Sequence, residues 1–310
     1  MPAQKTMSAE DYYRRGLAKI KIAESAATVR LTEKNYQAAA EDFTSAMEIK
    51  SENPEFYFQR GRCFYKNSDI EKAIWDFNSV IKLDPDFADA YIERGKIFAD
   101  LQLDDEDREE TVKRAFADFD KAIKLNPKNS YFYFVRGKLL FSEFTQNETD
   151  IENNKRALEE LNKAVLIDPN FAAALIFRAE IYFYFNDYEK SIADSTKAVK
   201  LKTQNADGFK FRGRSYAALG KYELAVADFT TALKLDPKNP DLYFYRAFVY
   251  DKMGKKQLAK SDDLQIEKLP KIYPDKLTEY RKERFYGLSK DSIDDTSLID
   301  DDSDLINEQQ

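Results

Sequence analysis

Apolar and aromatic positions along this chain fall at helical spacing in short stretches, and the stretches themselves recur. Residues 206–239 show the pattern most fully. Phe209, Gly213 and Tyr216 share one face of a first helix, Gly220 interrupts it, and Ala225, Phe229 and Ala232 share one face of a second. Leu235 and Pro237 close the unit, because proline cannot continue a helix. Small residues where two backbones must approach, with large rings beside them, describe a helical hairpin.

The same pattern aligns seven times, over 9–53, 54–87, 88–129, 130–171, 172–205, 206–239 and 240–273. The residue opening each first helix is Tyr12, Tyr57, Tyr91, Tyr133, Leu175, Phe209 and Tyr243. The small residue that follows is Gly16, Gly61, Gly95, Gly137, Ala179, Gly213 and Ala247. On the second helix an alanine column (Ala39, Ala73, Ala115, Ala157, Ser191, Ala225, Ala259) precedes Phe43, Phe77, Phe119, Leu161, Ser195, Phe229 and Asp263. Ser195 and Asp263 break the ring column, so the fifth unit is expected to pack less well and the seventh to form a polar end. The first, third and fourth units are longer. Their extra residues, 24–35, 104–111 and 145–154, are polar, and the run DDEDREE in the second of them reads as a self-repelling loop.

With this period and these columns, the chain resembles the tetratricopeptide repeat (TPR) family over about residues 9 to 273. The resemblance implies an all-α, right-handed α-solenoid of helical hairpins. Residues 275–287, with Leu277, Tyr280, Arg284 and Phe285 at helical spacing, are expected to cap the last repeat. Residues 289–310 read as a disordered acidic tail.

Two polar columns run through all seven units. An arginine precedes each small residue (Arg15, Arg60, Arg94, Arg136, Arg178, Arg212, Arg246). An acid precedes each residue of the ring column (Asp42, Asp76, Asp118, Glu160, Asp194, Asp228, Asp262). In an antiparallel hairpin the two fall at the same height. That predicts an arginine–carboxylate pair in every unit, fixing helix angles rather than forming a ligand track.

In TPR proteins the first helices line a concave groove that holds a peptide or helix of another protein. Carried to this chain, that face would include Arg62, Lys96, Phe134, Lys138, Phe177, Tyr184, Phe211, Arg214, Phe244, Tyr245 and Phe248. Aromatics concentrate over residues 130–248, and Arg62, Lys96, Lys138 and Arg214 form a broken basic line. Both features suit an apolar or aromatic partner segment with some acidic character. One family subset grips chaperone C-termini with a lysine–asparagine–arginine carboxylate clamp. The matching positions here are Tyr13 and Leu17, Gln59, and Asp89 and Glu93, so the clamp is absent. The expected role is a non-enzymatic adaptor or scaffold. The alternative is a structural subunit or assembly factor that uses its convex face or ends, self-association included.

Composition narrows the picture. There is no histidine, which removes the commonest general base and the usual zinc sites, and no phosphate-binding glycine motif or calcium loop. No enzyme activity, metal or cofactor is expected. The single cysteine, Cys63, occupies a core column and excludes an internal disulfide, consistent with a reducing compartment. No apolar run reaches the roughly 20 residues that cross a bilayer, and the N-terminal residues suggest neither secretory signal nor transit peptide. The expectation is therefore a cytoplasmic protein without a membrane partner. Residues 289–310 carry eight acids and one lysine, which accounts for the whole net charge of −7. The neutral remainder argues against a nucleic-acid partner. The tail's interleaved acids and aliphatics also make it a candidate to fold back onto the groove.

Overall fold

The structure, a computed structural model, describes residues 7–26, 28–101, 105–141, 148–201 and 205–269. Residues 275–287 and 289–310, assigned above to a capping helix and an acidic tail, lie outside the described residues. The chain divides into two compact units, 1–168 and 169–310.

Unit 1 consists of α1 (Ala9–Glu24), α2 (Val29–Ile49), α3 (Pro54–Lys66), α4 (Ile70–Leu83), α5 (Ala88–Asp100), α6 (Asp105–Leu125), α7 (Ser130–Leu140) and α8 (Glu148–Ile167). Unit 2 consists of α9 (Ala172–Tyr184), α10 (Tyr188–Lys200), α11 (Ala206–Ala218), α12 (Tyr222–Leu235), α13 (Pro240–Lys252) and α14 (Lys256–Lys268). The described residues contain no strand. Each odd-numbered helix packs on the even-numbered helix after it, giving four hairpins in unit 1 and three in unit 2. Within each unit the first helices of successive hairpins approach one another more closely than the second helices do. The first helices therefore form the tighter layer of each stack.

Local chemistry sets these helices. Asn53, Asn129, Asn205 and Asn239 cap α3, α7, α11 and α13, each side-chain oxygen accepting a backbone N–H at 2.7–3.1 Å. Such a cap contributes about 1 kcal/mol relative to alanine. The turns inside the short hairpins need a left-handed residue, supplied by Gly220 at φ 69° and Gly254 at φ 73° in unit 2.

The core of four hairpins is a second-helix ring driven against a first-helix glycine, and in the fourth hairpin along the chain Leu161 takes the ring's place against Gly137. Phe119 and Phe229 are 1% and 0% exposed. A Cβ added to Gly95 would lie 2.7 Å from the Phe119 ring, and one added to Gly213 2.9 Å from Phe229, so only glycine fits. Two repeats depart from this pair, carrying Ala179 with Ser195 and Ala247 with Asp263 in place of glycine and ring. The exchange leaves buried polar atoms. Ser215 Oγ donates to Ser191 Oγ at 2.9 Å, whereas the fully buried Ser195 hydroxyl has no partner.

The sequence reading of the long units needs one correction. Most of the extra residues that are described are helical: α2, α6 and α8 are 21, 21 and 20 residues long against 13 or 14 for the other second helices. Residues 105–110 are the N-terminal part of α6, where Asp107 lies near the positive end of the helix dipole. Glu109 pairs with Lys113 at 2.7 Å and Glu110 with Arg114 at 3.1 Å, so much of the run's self-repulsion is relieved one turn later.

Candidate functional site

The two polar columns meet in every hairpin. The Nη2 groups of Arg15, Arg60, Arg94, Arg136, Arg178, Arg212 and Arg246 lie 2.6–2.7 Å from Asp42, Asp76, Asp118, Glu160, Asp194, Asp228 and Asp262, and each Nε donates to the same carboxylate. A third arm ties repeats together. Nη1 reaches the preceding second helix at Thr44 (3.1 Å), Asn78 (2.6 Å), Asp120, Thr196 (3.4 Å) and Thr230 (3.0 Å) from Arg60, Arg94, Arg136, Arg212 and Arg246. This column, two residues beyond the acid, is missing from the sequence reading although its threonine, asparagine and aspartate recur in register. In six of the seven hairpins the guanidinium also lies over the ring that opens its helix, as Arg60 does over Tyr57 at 5.8 Å and Arg212 over Phe209 at 5.5 Å. Every acid of the ladder is nearly buried, and none is presented as a ligand track.

The first-helix face of unit 1 satisfies itself. Arg62 donates to Gln59 Oε1 at 3.1 Å, Gln59 Nε2 donates to Glu55 at 2.7 Å, and the Tyr13 hydroxyl donates to the same Glu55 oxygen at 3.2 Å. Burial first, and then the Glu55 charge, push the Tyr13 phenol up to about 12. Lys96 pairs with Glu93 at 2.8 Å and lies 5.9 Å from the Tyr65 and Tyr131 rings. Desolvation and then the like charges of Glu93 and Glu55 raise the Asp89 carboxyl. Phe134 is half-buried with its ring 6.3 Å from Tyr131, and Lys138 is exposed. A hollow of about 440 Å³ between α1 and α3 is lined by Leu17, Ile20, Gln59 and Arg62. Of the basic line, Lys96 is thus paired with a carboxylate, Arg62 donates to the Gln59 amide oxygen, and Lys138 is exposed. Cys63 is buried, and its thiol is pushed up to about 12 by burial, so it is core and not a nucleophile.

Unit 2 differs. Phe177, Tyr184 and Tyr245 are half-buried, whereas Phe211, Phe244 and Phe248 are 3%, 2% and 6% exposed and belong to the packing between helices. Those three are corrected from open contact surface to core. Arg214 holds the centre of the face. Its guanidinium carbon lies 4.1 Å from the Phe183 ring centre, 4.8 Å from Tyr245, 5.6 Å from Phe211 and 5.7 Å from Tyr184. These rings come from α9, α11 and α13, so the cluster exists only when three hairpins stack. Burial raises the Tyr188 phenol, and the Arg214 charge pulls it the other way. The neighbouring cation, Lys210, is occupied by Asp207 at 2.7 Å. Among the described residues no group of three or more potential ligands could hold a metal, and no helix is long and apolar enough to cross a membrane.

Residues 61–102 and 213–254 match the model of the TPR repeat, and residues 172–205 match that of the tetratricopeptide repeat. The chain is a tetratricopeptide-repeat protein. Its fourteen described helices fit about seven TPR repeats in an all-α superhelical architecture. A chain of the APC/C hetero-tetramer Cut9–Hcn1 superposes with a TM-score of 0.62 at 16% identity, over 89% of this chain and 54% of that one. Pseudomonas aeruginosa PilF gives 0.60 at 15% identity, over 74% and 97%. These likenesses show the fold. The DnaJ homolog subfamily C member 7 homolog of Dictyostelium discoideum is 34% identical over 84 residues, 26% of this chain, which spans 15% of that relative's length. TPR folds generally mediate protein–protein interaction and complex assembly.

Proposed function

We propose that this TPR protein is a non-enzymatic adaptor that holds a peptide or helix of a partner protein against the first-helix face of unit 2. The observation that carries the reading is the cluster around Arg214, where half-buried rings from separate repeats surround a cation that no carboxylate of the described residues neutralises. Such a surface suits an apolar or aromatic segment with some acidic character, and it is not the lysine–asparagine–arginine clamp of chaperone C-termini. Nothing in it calls for a nucleic acid, a membrane or a cofactor.

A second reading has its own support. Leu224 and Leu258, in the first turns of α12 and α14, are 50% and 47% exposed, and Trp75 on α4 is 58% exposed. These second-helix residues would serve a structural subunit that assembles through its outer layer, and the fold neighbour from the Cut9–Hcn1 structure is itself part of a hetero-tetramer.

One experiment separates the two. Peptides selected from a random display library on the full chain are titrated against Phe177→Ala/Tyr184→Ala and against Leu224→Asp/Leu258→Asp. The adaptor reading expects at least about a tenfold loss with the first pair and little change with the second, one decade corresponding to about 1.4 kcal/mol. Loss with the second pair alone, together with light scattering that shows self-association, would replace it with the assembly reading.

A further inference from the structure

Arg214 sits two residues after Arg212 and is treated differently by the fold. Arg212 gives two N–H groups to Asp228 and a third to Thr196. Arg214 has no ion pair among the described residues, and its buried Nε proton has no acceptor. A guanidinium stays charged in a protein. Ring faces offset part of the cost of taking it out of water. They do not supply the directional acceptor that each N–H requires. The residue as a whole is only half-buried, so a ligand reaches it from the solvent side. What remains is a fixed cation with hydrogen-bonding capacity to spare, walled by aromatic surface.

We infer that Arg214 is the specificity-determining anchor of this face, receiving the side-chain carboxylate of an aspartate or glutamate whose apolar neighbours lie on Phe183, Tyr184 and Tyr245. The inference rests on the groove reading above and adds the residue that selects the ligand. A planar guanidinium matches a carboxylate with two parallel hydrogen bonds, and the surrounding rings keep that pair partly dry, where it is stronger than in water. A phosphorylated residue fits less well, since phosphate recognition draws on clustered arginines and the nearby Lys210 is already held by Asp207.

The test uses the full chain and peptides selected on it from a random library. The selected peptides are expected to share one acidic position flanked by apolar residues. A synthetic copy should lose about 10- to 100-fold in affinity on Arg214→Gln. Changing the peptide's acid to its amide should cost the wild-type protein the same, and should cost Arg214→Gln little more, because the two changes remove one interaction. The amide peptide also guards against misfolding of the variant, since it leaves the protein untouched. Peptides that bind unit 2 without an acidic position, or that bind Arg214→Gln equally well, would overturn the anchor and leave the groove reading standing. Failure to select any peptide would remove both.

Discussion

The first-helix faces of the two units are built on the same repeat and yet surround their cations differently. In unit 1 the polar groups close on each other: Tyr13 and Gln59 donate to Glu55, Arg62 donates to Gln59, and Lys96 pairs with Glu93. In unit 2 the cation at the equivalent position to Arg62 and Lys96, Arg214, has four rings and no carboxylate. The repeat therefore decides where side chains stand, and the residues one repeat away decide whether a site is left open. A solenoid can vary recognition along its length without altering its packing, because each hairpin contacts only its neighbours.

If that is so, the cores of the two units should respond alike while their faces respond differently. The largest effect is expected in the cores. Phe119→Ala in unit 1 and Phe229→Ala in unit 2 should each lower stability by about 3–5 kcal/mol in denaturant titrations, since both rings are buried against a glycine. A loss below about 1 kcal/mol at either would break the assumption that one register runs through both units.

The next test contrasts two arginines on one helix. Arg212→Ala strands Asp228, whose side chain is 8% exposed, and should cost about 3 kcal/mol. Arg214→Gln removes a cation with no anionic partner and should change stability by less than about 1 kcal/mol. Comparable losses at both positions would mean that Arg214 serves packing.

A smaller effect should carry the opposite sign. Ser195→Ala removes a fully buried hydroxyl that finds no partner and should stabilise unit 2 by about 1 kcal/mol, read as a raised denaturation midpoint.

The smallest concerns acid. Burial pushes the Asp42 carboxyl up, but hydrogen bonds from Arg15 and Lys19 outweigh it and hold the group below its ordinary 3.8. A depressed carboxylate contributes stability above its unfolded value and loses it as pH falls through the folded one. Unit 1 should therefore weaken below about pH 4, and Asp42→Asn should flatten that decline in melts taken across the acid range.

Much of this was legible in the sequence. The Tyr–Gly and Ala–Phe columns gave the hairpins because ring and glycine must match in volume, as Gly213 and Phe229 do. The paired polar columns placed Arg212 opposite Asp228 because both lie at fixed offsets from the hinge. The helical nature of residues 105–110 was also written there, in Lys113 and Arg114 four residues beyond Glu109 and Glu110, and was hidden by counting the run's charge without its partners. The face was harder to read. Phe211 and Phe244 share the helical region of Arg214 and Tyr245, but a small rotation about the helix axis turns a ring from groove to core, and one chain's periodicity does not fix that angle. The surroundings of Arg214 depend on rings one repeat to either side, a relation set by stacking rather than by local pattern.

Hydrogen exchange of the full chain, with and without a saturating peptide selected on it, tests the contrast between the faces most directly. Open recognition on unit 2 predicts added protection in α9, α11 and α13 that is abolished by Arg214→Gln, with α1, α3 and α5 unchanged. Protection confined to the first helices of unit 1, or to α10, α12 and α14, would contradict it.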